Sequence, residues 1–261
     1  MGKRLQRFLL ASLLPLLTLA AWQYFSGNTG SYLLPAPATV LDTFLRLASS
    51  GELARHVGIS SLRVAEGFIV TSFIAISLGI ALGLSPLLHQ LFSRWLEFWR
   101  QVPPLSLLPM LILWFGLGEL SKLAIVILAT FFPVFLATYD AVSRPDTELL
   151  ELGKIYGFSP RETLLQLRLP MALPEVFTGL RIGLGYSWRS LIGAEMFAAS
   201  SGLGFLIIDG EEMARPAMVL AGIIAIGIAG SCADALMWFI SRRFRVLRPT
   251  NAMRNLTGGQ P

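Results

Sequence analysis

Apolar residues in this chain gather into six long runs separated by short segments rich in proline, glycine and charge. The runs cover about 8–25, 62–85, 102–118, 122–141, 174–198 and 217–240. A helix needs about 20 mostly apolar residues to cross the roughly 30 Å hydrocarbon core of a bilayer. Lipid admits only structures that satisfy their own backbone polar groups, and the helix does so within a single segment. The pattern therefore predicts an all-α membrane protein, a bundle of six transmembrane helices. The third run is short and opens on Pro103-Pro104, so a kinked helix, or one packed inside the bundle, is expected there. Lys3, Arg4 and Arg7 precede the first run as they would in a signal peptide. Five further runs favour an uncleaved anchor.

The polar segments carry their own patterns. In the segment about 26–60, Pro35-Ala36-Pro37 leads into an amphipathic stretch beginning at Thr39, which reads as a helix lying flat at the outer interface. Residues 151–170, ELGKIYGFSPRETLLQLRLP, read as helix, glycine turn, helix. Gly157 stands where the first helix stops, because glycine adopts the left-handed conformation without a Cβ penalty. Ser159-Pro160-Arg161-Glu162 reads as a capping box with proline at the first helical position. The second helix closes on Leu169-Pro170 before the next apolar run.

Composition agrees with lipid as the solvent: 54% of residues are hydrophobic and 14% charged, against about 25% charged in soluble domains. The net charge of +5 is explained by position. With an internal N-terminus, fourteen of the 21 basic residues fall in cytoplasmic segments, as the positive-inside rule requires. Both termini are thus expected in the cytoplasm, together with the loop 142–173, and no nucleic-acid partner is implied. The single cysteine, Cys232, and the two histidines, His56 and His89, exclude a disulfide framework and a Cys/His metal site. No cofactor and no catalytic set of nucleophile and base is visible. The three lysines, Lys3, Lys122 and Lys154, all lie outside any G-x-x-x-x-G-K-[ST] phosphate loop, so the chain is not expected to hydrolyse ATP.

Ionisable residues inside a span cost about 2.5–3.5 kcal/mol on insertion scales and point to function by default. Arg189, next to Trp188 near the middle of the fifth run, has two readings. It faces a translocation path and offers a forked donor to an oxyanion, or it pairs structurally with Glu195 of another subunit, Asp140 or Asp234. Glu195 lies six residues on, on a different face of an ideal helix from Arg189. Arg181 is nearer the cytoplasmic end and can snorkel. Gly79/Gly83, Gly179/Gly183 and Ala221/Ala225/Ala229 are small residues at four-residue spacing, which lets helices approach closely.

Glu151-Leu152-Gly153, three residues, Gly157, nine residues, then Leu167-Arg168-Leu169-Pro170 resembles the EAA loop of the membrane subunits of binding-protein-dependent ABC importers. That loop reads E-A-A, three residues, G, nine residues, I, any residue, L-P. Leu152, Gly153 and Leu167 depart from it, and Gly153 is expected to loosen the first helix by up to about 1 kcal/mol relative to alanine. Leu34-Pro35-Ala36-Pro37, Ser50-Gly51-Glu52-Leu53, Pro103-Pro104-Leu105, the stretch Leu113–Glu119 and Ser201–Phe205 are similar to the nitrate/sulfonate/taurine branch, so the likeness spans about 33–243.

The resemblance implies a type I importer permease fold as one transmembrane domain over 1–261, with its core at about 58–243. It implies an inner-membrane permease that takes up a small anion, preferably an aliphatic sulfonate or taurine, with nitrate or a pyrimidine vitamin precursor as same-family alternatives. A stand-alone secondary anion carrier is the alternative from another class. Implied partners are two cytoplasmic ATPase subunits, a second permease copy forming a homodimer, and an external solute-binding protein. Glu151, Gly157, Ser159, Glu162, Leu167, Leu169 and Pro170 form the ATPase-coupling loop, with Leu164, Leu165 and Leu167 filling the partner's groove. Arg189, Trp188 and Glu195 are candidates for the pathway.

Overall fold

A computed structural model describes residues 2–29, 34–145 and 147–244, and every regular element among them is helical. In chain order these are α1 (Gly2–Thr29), α2 (Pro37–Ser49), α3 (Glu52–Leu84), α4 (Pro86–Arg100), a 3-10 turn (Pro104–Leu107), α5 (Leu108–Phe115), α6 (Glu119–Ser143), α7 (Thr147–Ile155), α8 (Pro160–Glu162) continuing through a π turn (Thr163–Arg168), α9 (Leu169–Ala198), α10 (Leu203–Glu212) and α11 (Pro216–Phe244). Arg245, Arg248 and Arg254, three of the fourteen basic residues expected in cytoplasmic segments, lie outside the described residues, as do the side chains at Lys3, Arg4 and Arg7.

α3, α6 and α11 are each long and apolar enough to cross a membrane, and the helical stretch Pro160–Ala198 passes the same test together with α10, bent by 43° at the break between them. The expected third span, 102–118, does not form a crossing helix. Its helical part runs only from Pro104 to Phe115, about 18 Å at 1.5 Å per residue. Pro103, Pro104 and Pro109 cannot donate to a helical ladder, and Gly116 ends α5 with φ +75°. α2 forms as the amphipathic pattern predicts, turning Val40 and Leu47 inward and leaving Leu41 and Leu45 exposed.

α4 falls in a segment read as a polar connection. Ser85 caps it by accepting from Leu88 N at 3.4 Å, and Pro86 occupies the first turn. Phe92, Trp95, Leu96 and Trp99 line an apolar groove of about 480 Å³ with Leu82 and Phe131. The apolar arc is interrupted by Arg94, Glu97 and Arg100, which hides the helix from a search for continuous runs.

By packing, the chain divides into two units, 1–61 with 195–229, and 62–194 with 230–261. In the second unit the predicted small-residue stripes are where helices meet. A Cβ at Gly79 would stand 2.8 Å from Thr138 Cβ, and one at Gly83 would stand 3.0 Å from Val142 Cβ, both on α6. On α9, a Cβ at Gly179 would overlap Ala137 Cβ and lie 3.0 Å from the Pro133 carbonyl oxygen. Gly179→Leu is therefore expected to force α9 off α6, destabilising the fold by at least about 3 kcal/mol, the upper end of ordinary overpacking. Loss of monodisperse protein on detergent size exclusion checks this, with Gly185→Leu as the tolerated control, since a Cβ at Gly185 would meet no atom within 4 Å. In the first unit α10 packs on α11 in the same manner, with a Cβ at Gly222 meeting Ile207 at 3.0 Å.

Candidate coupling hairpin and polar positions in the helices

The hairpin forms as its caps dictate. Gly157 has φ +73°, and nothing lies within 4 Å of where its Cβ would be. Glycine is required there by backbone conformation alone. Phe158 N donates to Gly153 O at 2.9 Å and Gly157 N to Lys154 O at 3.0 Å, the paired bonds of a Schellman turn. The capping box closes α8: Glu162 N donates to Ser159 Oγ at 3.3 Å, and Ser159 N donates to Glu162 Oε2 at 2.8 Å. These Ser159 donors hold the exposed Glu162 carboxyl below the ordinary carboxylate range, the hydroxyl first and the backbone N–H second.

The turn after the box is π-helical, with Leu169 N donating to Leu164 O. Pro170 accounts for the widening, since its ring clashes with the carbonyl four residues back in an α-helix and supplies no donor. Gly153, expected to loosen α7, is instead a packing position. It is buried, and a Cβ there would lie 2.7 Å from Leu167 Cδ1. Leu167 therefore turns inward against α7, and Leu164 is also half-buried. Of the three leucines expected to face a partner, only Leu165 is exposed. The apolar residues that do face outward are Leu152, Ile155, Tyr156 and Leu165, with Ile155 at 80% and Tyr156 at 74% exposure. Glu151 is exposed as well and makes no ion pair among the described residues.

Within the second unit, the polar positions of α9 and α11 meet. Arg181 Nε and Nη2 donate to Asp234 Oδ1 and Oδ2, each at 2.6 Å, so Arg181 pairs across helices instead of snorkelling. The pair lines a cavity of about 360 Å³ with Thr178, Tyr186, Arg189 and Ser241. Arg189 is exposed, and its guanidinium carbon stands 5.9 Å from the Tyr186 ring centre. Asp234, one of its candidate structural partners, is occupied by Arg181. Trp188 points elsewhere: it is buried, and its Nε1 finds no acceptor among the described residues. At the start of α6, Glu119 accepts from Arg63 Nε and Nη2 at 2.6 and 2.7 Å and from Lys122 Nζ at 3.1 Å.

In the first unit, Glu195 is 1% exposed and does not line the Arg189 cavity. It belongs to a buried polar cluster with Ser60 and His56 that caps α10. Sequence reasoning missed this cluster and used His56 only in excluding a Cys/His metal site. The one available signal was a span-end histidine four residues before a serine on a helical face.

Residues 72–246 match the family of binding-protein-dependent transport system inner membrane components. The chain belongs to this family. It is the permease subunit of an ABC importer, an inner-membrane protein. The permease is 33% identical over 93% of its length to SsuC of Bacillus subtilis, named for aliphatic sulfonates transport, covering 88% of that protein. It is 36% identical over 80% of its length to the taurine transport system permease protein TauC of Escherichia coli, covering 78% of it. Its fold matches a chain of the MetNI methionine ABC transporter with TM-score 0.57 at 17% identity, over 72% of the permease and 94% of that chain. The type I importer permease fold expected from the sequence is thereby shown.

Proposed function

We propose that this permease takes up a small sulfonate-class anion, driven by a partner ATPase that grips the 147–170 hairpin from the cytosol. The observation that carries the coupling is the outward apolar set Leu152, Ile155, Tyr156 and Leu165 on the outer face of the hairpin, beside the exposed Glu151, which makes no ion pair among the described residues. Exposed large apolar side chains at a rigid turn are what a partner groove takes. Both termini and the hairpin lie in the cytosol, an external binding protein delivers the solute, and two permease copies pair around the path.

The sulfonate and taurine names of SsuC and TauC support the substrate class. Arg189 gives it a chemical reason: its guanidinium lacks an ion partner among the described residues and lies in a polar cavity with the Tyr186 and Thr178 hydroxyls. A planar fork of donors suits a sulfonate oxyanion. The test is ATP-dependent uptake into proteoliposomes holding the permease, its ATPase and loaded binding protein. Taurine and short alkanesulfonates are expected to accumulate, and Arg189→Ala is expected to lower their uptake about tenfold with the complex still assembled. Unchanged uptake in Arg189→Ala, or loss that tracks failed assembly, would remove Arg189 from the path.

A further inference from the structure

Helix α10 carries no cap of its own. Its N-cap is Gly202, without a side chain, and the first N–H groups of a helix have no partner inside it. Three consecutive donors are instead taken by side chains from two other helices. Gly202 N donates to His56 Nδ1 at 3.0 Å, Leu203 N to Ser60 Oγ at 2.8 Å, and Gly204 N to Glu195 Oε2 at 3.0 Å. The acceptors are linked, because the Ser60 hydroxyl lies 2.9 and 2.8 Å from the two Glu195 oxygens and donates to that carboxylate. His56 stacks on Phe205 of α10 with ring centres 6.0 Å apart. Glu195, Ser60 and His56 are all buried, as are Leu203 and Leu206 beside them.

Gly202 is fitted to this arrangement. Its φ is +118°, and a Cβ would overlap the Glu195 carboxylate. A carboxylate at a helix N-terminus is favoured by the helix dipole, and a buried N–H stripped of its acceptor costs a full desolvation penalty. α10 is thus tied to α9 through Glu195 and to α3 through His56 and Ser60. α9 is one continuous helix of 30 residues from Leu169, where the hairpin ends, to Ala198, about 45 Å at 1.5 Å per residue.

We propose that Glu195, Ser60 and His56 are positioning residues that lock α10 to the far end of α9, so that α10 moves with α9 when the hairpin is displaced. This rests on the ATP-driven reading above. Rigid helices with fixed contacts at both ends carry displacement between distant sites, and a helix tied by three buried bonds cannot lag behind the one that holds it.

The test uses the assembled permease–ATPase complex in a Cys232→Ala background, with spin labels at Phe197→Cys on α9 and Glu211→Cys on α10. The expected result is a single 197–211 distance, the same in the nucleotide-free and vanadate-trapped states. Glu195→Ala should broaden that distance and lower uptake about tenfold while basal ATP hydrolysis persists. Ser60→Ala, a milder change that removes both Ser60 bonds, should do the same in part. A distance that shifts between states in the otherwise native complex, or uptake at the native level in both variants, overturns the lock. If no ATPase binds the native permease, the coupling reading itself falls, and the lock falls with it. That outcome is seen in assembly and not in the distance.

Discussion

Asp234→Ala is expected to lower the stability of the folded permease by about 1–2 kcal/mol, between the exposed-pair and buried-pair ranges, read as a lower thermal midpoint in detergent and reduced yield from membranes. The substitution removes both acceptors of Arg181, each at 2.6 Å, and strands a guanidinium between α9 and α11. Breaking a fully buried pair costs about 3–5 kcal/mol. Both side chains here are half-buried and face a cavity, which moderates the loss. The double variant Arg181→Leu/Asp234→Leu removes both charges and is expected to recover most of the stability, since the charges must be desolvated in the native pair. Uptake by the double variant then separates two roles. Recovery of uptake together with stability makes the pair structural, whereas stability without uptake assigns it to the cavity's function.

Gly157→Val is the second large effect, and it acts on coupling without touching the bundle. Because no atom lies near the Cβ position, the whole penalty comes from the left-handed backbone at φ +73°. That conformation costs an L-residue about 1–2 kcal/mol, and a β-branched side chain sits at the unfavourable end. The turn bonds from Phe158 N and Gly157 N are expected to open, swinging Ile155 and Tyr156 away from Leu165. Co-purification of the ATPase and ATP-dependent uptake should both fall sharply, while the permease keeps its helical content. Gly157→Asn, which tolerates the left-handed region better, should retain most of both. Valine performing as well as glycine would show that the turn is not what the partner reads.

What was legible in the chain was local. The Ser159–Glu162 box, the Gly157 turn, the α2 amphipath and the Gly79/Gly83 and Gly179/Gly183 stripes each follow from spacing within one helix or turn. What was hidden depends on distance in sequence or on a neighbour's shape. Arg181 and Asp234 are 53 positions apart, and Ser60 and Glu195 are 135 apart. No periodicity joins residues so far separated. Gly153 looked like a weakness in α7 because helix propensity ignores Leu167, which fills the space that an alanine methyl would need. The third apolar run was already short, and its prolines and Gly116 limit the helix further, to Pro104–Phe115.

The most direct test of the coupling account is site-specific photo-cross-linking in the purified permease–ATPase complex. A photoreactive residue at Ile155 or Tyr156, the most exposed apolar positions of the hairpin, is predicted to join covalently to the ATPase subunit. The same residue at Leu41, exposed on α2, is predicted to give no such product. Capture of the ATPase at Leu41 and not at Ile155 or Tyr156 would contradict the assignment of 147–170 as the handle through which ATP drives this permease.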